Sequence, residues 1–153
     1  MTGGTRQLVD AFCEGAAAQE GVELRVRRAD EAQPSDLLAA DAVLFATPEN
    51  LASMAGMMKD FFDRSYYAAL GRIEGRPYAT LVCAGSDGQG AARQIDRIAA
   101  GWRMKAIAEP LIVITHAQTP EAILAPKSID PASLGRAREL GAAMAAAVSM
   151  GIW

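Results

Sequence analysis

The sequence predicts one α/β domain over residues 1–153, in which helices cover both faces of a parallel β-sheet. Two observations carry this prediction. Helical and strand patterns alternate along the chain, the segment 42–46 is continuously apolar, and the segment 78–84 is apolar except for Thr80. Strands that are apolar throughout are typical of parallel sheets, because both of their faces are buried. A chain of 153 residues is also long enough to bury a core without disulfides or a structural metal.

The first part of the chain predicts two helices and two strands. Apolar residues between Leu8 and Ala16 recur on one helical face, and Gly21 supplies the positive φ that often ends a helix. Residues 22–27 alternate apolar with charged side chains, which predicts a strand with one solvent-exposed face. The elements expected are helix 8–16, strand 22–27, helix 34–40, strand 42–46 and a loop at 47–53.

The rest of the chain predicts three more helices and two more strands. Met58, Phe61 and Phe62 lie on one helical stripe, and Ile95 and Ala99 lie on another. The elements expected are helix 57–66, turn 75–77, strand 78–84, a glycine-rich loop at 85–90, a helix around 95–99, strand 111–115, an irregular stretch at 116–131 and helix 133–150. The total of four strands and five helices is unusual, because no strand precedes the first helix.

Composition excludes several classes of function. The 15 basic and 18 acidic residues give a net charge of −3, which argues against a nucleic-acid binder. Cys13 and Cys83 form no Cys-x-x-Cys motif, and the single histidine, His116, argues against metal sites and a histidine-based triad. No apolar run reaches the ~18 residues of a membrane span, and no apolar leader is visible, so a soluble cytoplasmic protein is expected.

One candidate ligand loop precedes the first helix. Its residues are Thr2, Gly3, Gly4, Thr5 and Arg6. Two hydroxyls and a flexible backbone ahead of a helix N-terminus suit a phosphate, because N–H groups and the helix dipole face the ligand. The alternative is a flexible start in which Thr5 caps the helix and Arg6 is solvated. No Gly-Lys-Ser/Thr follows, so this is not a Walker loop.

Two further candidate loops follow apolar strands. Ligands of open α/β sheets bind at the carboxyl ends of the strands, where all three loops are expected. The second loop has the residues Thr47, Pro48, Glu49, Asn50 and Leu51, and its backbone could face a planar heterocycle. The third loop has the residues Gly85, Ser86, Asp87 and Gly88, whose glycines allow a flat ligand to approach closely. The alternatives are an ordinary β–α connection and an ordinary turn.

Taken together, these motifs resemble those of a known family. They are Thr2-Gly3-Gly4-Thr5-Arg6, Thr47-Pro48-Glu49-Asn50, Gly56-Met57-Met58-Lys59-Asp60-Phe61-Phe62-Asp63-Arg64 and Ala84-Gly85-Ser86-Asp87-Gly88. The chain resembles the flavodoxin-like superfamily, and within it the NAD(P)H-dependent FMN reductase and quinone reductase branch. The run from Pro48 to Tyr67 is the most specific part of a resemblance that covers nearly the whole chain.

The resemblance implies a five-stranded parallel sheet in the order 2-1-3-4-5 and one FMN per subunit. Residues 2–5 would hold the phosphate, and residues 47–51 and 85–88 would edge the isoalloxazine. The family's first strand, which is central in that order, is absent here, and we expect an apolar strand of about five to six residues ahead of Met1. Without that strand, the segments 22–29 and 42–47 would face each other across a slot of roughly 9–10 Å, two strand spacings.

The implied function is an FMN-dependent oxidoreductase. It would take hydride from NADH or NADPH and pass electrons to a quinone, a nitro or azo compound, or free flavin. Flavin N5 would do the chemistry, so we expect no catalytic side chain and no metal. The alternative is a flavodoxin-type one-electron carrier, which the modest charge and the lack of aromatic residues in 47–54 and 85–91 disfavour. A homodimer or homotetramer is expected, with Tyr66, Tyr67, Leu70 and the stretch 116–131 as contact surfaces.

Overall fold

The computed structural model describes residues 2–152 and contains a mixed sheet flanked by helices. In chain order the elements are α1 (Gly4–Ala17), α2 (Pro34–Ala39), β1 (Val43–Asn50), β2 (Ser53–Met54), α3 (Gly56–Ala69), β3 (Pro77–Ala84), α4 (Gln89–Gly101), β4 (Lys105–Ala106), β5 (Leu111–Ile114), α5 (Pro120–Leu124) and α6 (Pro131–Ser149). None of the helices in this part of the chain combines the length and apolar character that a membrane crossing needs.

Strand β3 is the centre of the sheet. It pairs in parallel with β1 along one edge, with Phe45 opposite Thr80 and Pro48 opposite Cys83. Along its other edge it pairs in parallel first with β4 and then with β5. All eight residues of β3 are buried, as its largely apolar sequence predicted. The parallel α/β architecture predicted from the sequence is therefore confirmed.

The helices form two layers. One layer packs α2, α3 and α4 against an aromatic cluster that includes Phe45, Phe62 and Trp102. On the other side of the sheet, α1 and α6 cover Leu81 and its neighbours. Helices α1 and α6 touch at glycines, and this contact fixes the position of α1, whose N-terminus reaches the carboxyl edge of the sheet.

The strand predicted at 22–27 does not form. Residues 22–28 have no regular secondary structure, and none of their N–H groups donates to a backbone group of residues 2–152. Leu24 and Val26 are 41% and 57% exposed. Within residues 2–152, β1 has no partner opposite β3 along Val43–Pro48, so the expected slot holds no strand. An alternating segment becomes a strand only where a neighbour offers its backbone edge.

The loop predicted at 47–53 is also mostly strand. Thr47–Asn50 continues β1, and a two-residue turn at Leu51 and Ala52 leads into the antiparallel strand β2. Both turn residues have positive φ, 52° and 58°, as in the type I′ hairpins whose twist matches paired strands. Proline at position 48 did not end β1, because it occupies an edge strand, where a missing N–H is tolerated.

Candidate functional site

The three candidate ligand loops predicted from the sequence meet at the carboxyl edge of β1 and β3. Gly4, at the start of α1, lies so close to Cys83 that an added Cβ would be 2.7 Å from its Sγ. Cys83 is paired with Pro48 of β1. The N–H of Gly88 in turn donates to Glu49 Oε2 at 2.7 Å. The N-terminus of α1, the end of β1 and the loop after β3 therefore form one continuous rim.

The N-terminus of α1 has no side-chain cap. Its N-cap residue is Gly3, with φ of 85°, and no acidic residue lies in the first turn. Thr5 is therefore not the cap that one interpretation of the sequence expected. It lies inside the helix, and its hydroxyl lies near the Cys83 thiol. The first-turn N–H groups and the positive end of the helix dipole are left without a side-chain acceptor, an arrangement that suits a phosphate.

Arg6 lies on the solvent side of that first turn. Its Nε donates to both carboxylate oxygens of Asp10, at 2.9 and 3.1 Å. Its side chain is 80% exposed. An ion pair this exposed contributes little to stability, so it leaves the guanidinium free to exchange Asp10 for another anion.

The segment 127–129, which we call the strap, is hydrogen-bonded to the start of α1. Thr2 O accepts from the N–H of Lys127 at 2.7 Å, and Gln7 bonds both Lys127 O and the N–H of Ile129. The ammonium of Lys127 donates to three carbonyls at the end of α5, those of Ala122, Ile123 and Ala125. Sequence reasoning missed Gln7 and Lys127, because no local pattern links residues about 120 positions apart.

Cys83 is a buried thiol next to Gly4 at the start of α1. Burial raises its pKa, although the charge of Lys127 and the hydroxyl of Thr5 act in the opposite direction. The thiol therefore stays protonated at neutral pH. The protonated thiol adds no negative charge near the first turn of α1, so this helix N-terminus remains favourable for an anion.

Two of the candidate side chains on β1 are used inside the protein. The hydroxyl of Thr47 is buried, accepts from the N–H of Ala55 at 3.0 Å and donates to Pro48 O. The carboxylate of Glu49 accepts from N–H groups at the start of α4. Pro48, Asn50 and Leu51 remain at the rim, and Leu51 is fully exposed. Backbone and apolar surface, rather than the Thr47 and Glu49 side chains, are thus what this loop offers a ligand.

In the loop after β3, the glycines serve the protein's own packing. A Cβ on Gly88, where φ is 82°, would be 2.4 Å from Ile112 Cγ2, and one on Gly85 would be 3.0 Å from Ala117 O. Ser86 and Asp87 are exposed at the rim. The two glycines let the loop pack closely against β5 and the segment after it, while Ser86 and Asp87 stay exposed.

The rim has two chemically different ends. The uncapped first turn of α1 suits an anion, and the side chains exposed at the other end are Asn50, Leu51, Ser86 and Asp87. Within residues 2–152, no three histidine, cysteine or carboxylate side chains gather as a metal site would need. The rim offers binding and orientation rather than a paired acid and base.

Comparisons with known proteins show what the chain is similar to. The family described as NADPH-dependent FMN reductase matches residues 31–119. A flavodoxin of Aquifex aeolicus is 35% identical over 89 residues, 58% of this chain and 46% of that protein. An NAD(P)H dehydrogenase (quinone) of Acidithiobacillus ferrooxidans is 30% identical over 85 residues, 42% of each chain. The chain thus spans about half the length of the curated relatives it matches.

Solved structures show the same fold. A flavodoxin from the domain Archaea superposes with a TM-score of 0.76 at 20% identity, covering 97% of this chain and 93% of the other. A WrbA-like flavodoxin of Agrobacterium tumefaciens superposes with a TM-score of 0.71 at 16% identity, covering 97% and 91%. The fold is flavodoxin-like, and because the family match spans more than half of its residues, the chain belongs to the NADPH-dependent FMN reductase family.

Proposed function

We propose that the chain binds FMN and acts as an oxidoreductase that passes electrons from NADH or NADPH to a quinone, a flavin or a similar small acceptor. The observation that carries the proposal is a contrast between two helices at the same rim. The N-terminus of α4 is neutralised by a carboxylate from β1, whereas that of α1 has no acidic group in its first turn. A dianionic phosphate is therefore directed to α1.

The residues at the rim would bind and orient the cofactor. First-turn N–H groups of α1 would hold the phosphate, with Thr2 and Thr5 beside them. The segments 48–51 and 85–88 would edge the ring. When bound, FMN supplies the redox chemistry, so the chain needs no acid or base of its own and contributes orientation and a polar edge at Ser86 and Asp87.

Turnover, rather than electron carriage alone, is favoured by the openness of this rim. Residues 47–54 and 85–91 contain no aromatic side chain that could cover both faces of a ring. A nicotinamide or an acceptor would approach the ring beside Leu51, which is fully exposed. The carrier alternative is supported by the flavodoxin relative, and steady-state NAD(P)H oxidation separates the two functions.

A second copy of the chain is proposed as a partner. Tyr66 and Tyr67 on α3 and Leu70 directly after it are exposed, and α3 also carries the oppositely charged pair Lys59 and Asp63. Such a surface suits a homodimer or homotetramer. Free Cys13 and Cys83 agree with a reducing, cytoplasmic location. Light scattering tests the assembly, and a species of 16.1 kDa alone would contradict it.

The central test titrates the protein with FMN and with riboflavin, which lacks the phosphate. We expect bound-flavin absorbance and tighter binding of FMN. Arg6→Glu places a carboxylate in the first turn of α1, so it should weaken FMN binding about tenfold or more and riboflavin binding much less. Arg93→Glu, the same charge change on α4, is the matched control. Failure of both flavins to bind wild-type protein would refute the proposal.

A further inference from the structure

Glu49 joins two loops that the sequence places far apart. Its Oε2 accepts from the N–H of Gly88 at 2.7 Å, and its Oε1 accepts from those of Gly90 and Ala91 at 3.1 and 3.3 Å. The acceptor is at the end of β1, and all three donors belong to the start of α4. Hydrogen bonds to a carboxylate are stronger than neutral ones, so this residue is a principal link between the two segments.

The hairpin that follows Glu49 is fastened to α4 at a second point. The side chain of Gln94 accepts from the N–H of Met54 at 3.0 Å and donates to the hydroxyl of Ser53 at 2.8 Å. Between these contacts the backbone of Gly90 lies against the turn, where a Cβ would be 2.1 Å from Ala52 O. The hairpin 49–54 and the first turns of α4 therefore form one unit.

This unit holds a turn that is strained. Leu51 and Ala52 both have positive φ, which residues other than glycine adopt at a cost unless neighbouring contacts enforce it. The contacts of Glu49 and Gln94 supply that enforcement. They present Leu51 at the rim as a fully exposed side chain.

Capping by Glu49 also leaves the loop after β3 free. The N-cap of α4 is Gly88, which has no side chain to cap with. A serine or aspartate of that loop would ordinarily do so, but Ser86 and Asp87 are exposed. Because the carboxylate comes from β1 instead, both polar residues remain available to a ligand.

We propose that Glu49 is a positioning residue. It holds the segments 50–52 and 85–88 in one arrangement at the rim. This inference rests on the proposed function, since the ring of the flavin is what the two segments would edge. Glu49 itself contacts neither ring nor phosphate in this scheme, and it acts through the backbone it bonds.

The flavin test compares Glu49→Gln with Asp36→Asn. Asp36 also caps a helix with a carboxylate, accepting from the N–H of Gln33 at 2.9 Å, but it bonds to neither loop. We expect Glu49→Gln to weaken FMN and riboflavin binding by the same factor, about tenfold, because ring contacts are common to both. Asp36→Asn should lower the melting temperature without changing either dissociation constant. Wild-type affinity in Glu49→Gln, or loss of FMN affinity alone, would overturn the proposal.

A second measurement needs no flavin. Amide hydrogen exchange of the flavin-free protein should show that Glu49→Gln accelerates exchange at Gly88, Gly90 and the hairpin 50–54 together, while α6 is unchanged. Faster exchange at α4 alone would show that Glu49 is a local cap and does not couple the two segments. Gln94→Ala leaves the cap intact, and it should accelerate the hairpin only. If wild-type protein binds no flavin, the proposed function fails, and these exchange data still decide whether Glu49 couples the segments.

Discussion

Replacing Gly15 by alanine should separate the two helices that cover one face of the sheet. A Cβ at this position in α1 would be 1.9 Å from Arg138 O in α6 and 2.8 Å from its carbonyl carbon. Both obstacles are backbone atoms, so no side-chain rotation relieves the clash. The contact is reciprocal, since a Cβ on Gly141 would be 2.0 Å from Phe12 O. The helices must move apart by roughly 1.5 Å to restore an ordinary contact of 3.4 Å.

The expected cost follows from that movement. Overpacking costs about 1–3 kcal/mol, and separation also loosens apolar contacts of Phe12 and Met144. Alanine recovers up to about 1 kcal/mol of helix propensity, so we expect Gly15→Ala to lower the free energy of unfolding by about 1–2 kcal/mol in urea titrations followed by circular dichroism. Gly135 of α6 has no atom within 4 Å of its added Cβ, so Gly135→Ala should instead stabilise by about 0.5–1 kcal/mol. A stabilised Gly15→Ala variant would refute the close-contact reasoning.

Three other perturbations test separate parts of the structure. Burial and the charge of Asp96 raise the pKa of Tyr78 from 10.0 to about 12, so the folded state keeps a proton that the unfolded chain releases. The free energy of unfolding should therefore fall between pH 10 and 12, and Tyr78→Phe should flatten that slope in alkaline denaturation. Lys127→Met removes the donor to three carbonyls at the end of α5, so amide exchange in residues 120–125 should become faster. Unchanged exchange would show that Lys127 does not stabilise this segment. An apolar strand of about six residues joined ahead of Thr2 should raise the melting temperature by pairing β1, and an equal melting temperature would show that this edge accepts no strand.

The sequence predicted a strand correctly where the residues of that strand alone show that both faces are buried. Strand β3 is buried on both faces, so its sequence is apolar at every position of 78–84 except Thr80, and this run reveals it. The alternation at 22–27 is just as clear a local signal, yet no strand forms there. Its outcome depends on whether a neighbour lies beside it, and alternation within one segment does not encode that neighbour.

The sequence predicted where the candidate loops lie, but it did not predict the contacts that individual side chains make there. Glycines and hydroxyls before α1 and after β3 indicated loops at the carboxyl edge, and the structure brings them to one rim. The role of Glu49 could not be foreseen, because its partners lie about 40 positions further along the chain. An acidic residue at a strand end has the same local pattern whether it faces a ligand or a helix N-terminus.

The two helix N-termini make the two ends of the rim electrostatically different. A dianion arriving at the rim meets a favourable dipole at α1, whereas at α4 the carboxylate of Glu49 already occupies the N–H groups. The exposed apolar side chain of Leu51 and the polar residues Ser86 and Asp87 lie at the α4 end. In the proposed binding mode, a ligand with a phosphate at one end and a flat ring at the other would place its phosphate at α1. The reversed orientation would bring the phosphate close to the Glu49 carboxylate, and like charges in close contact repel even where solvent screens them. We therefore expect the contrast between the two helix N-termini to favour one orientation of the ligand.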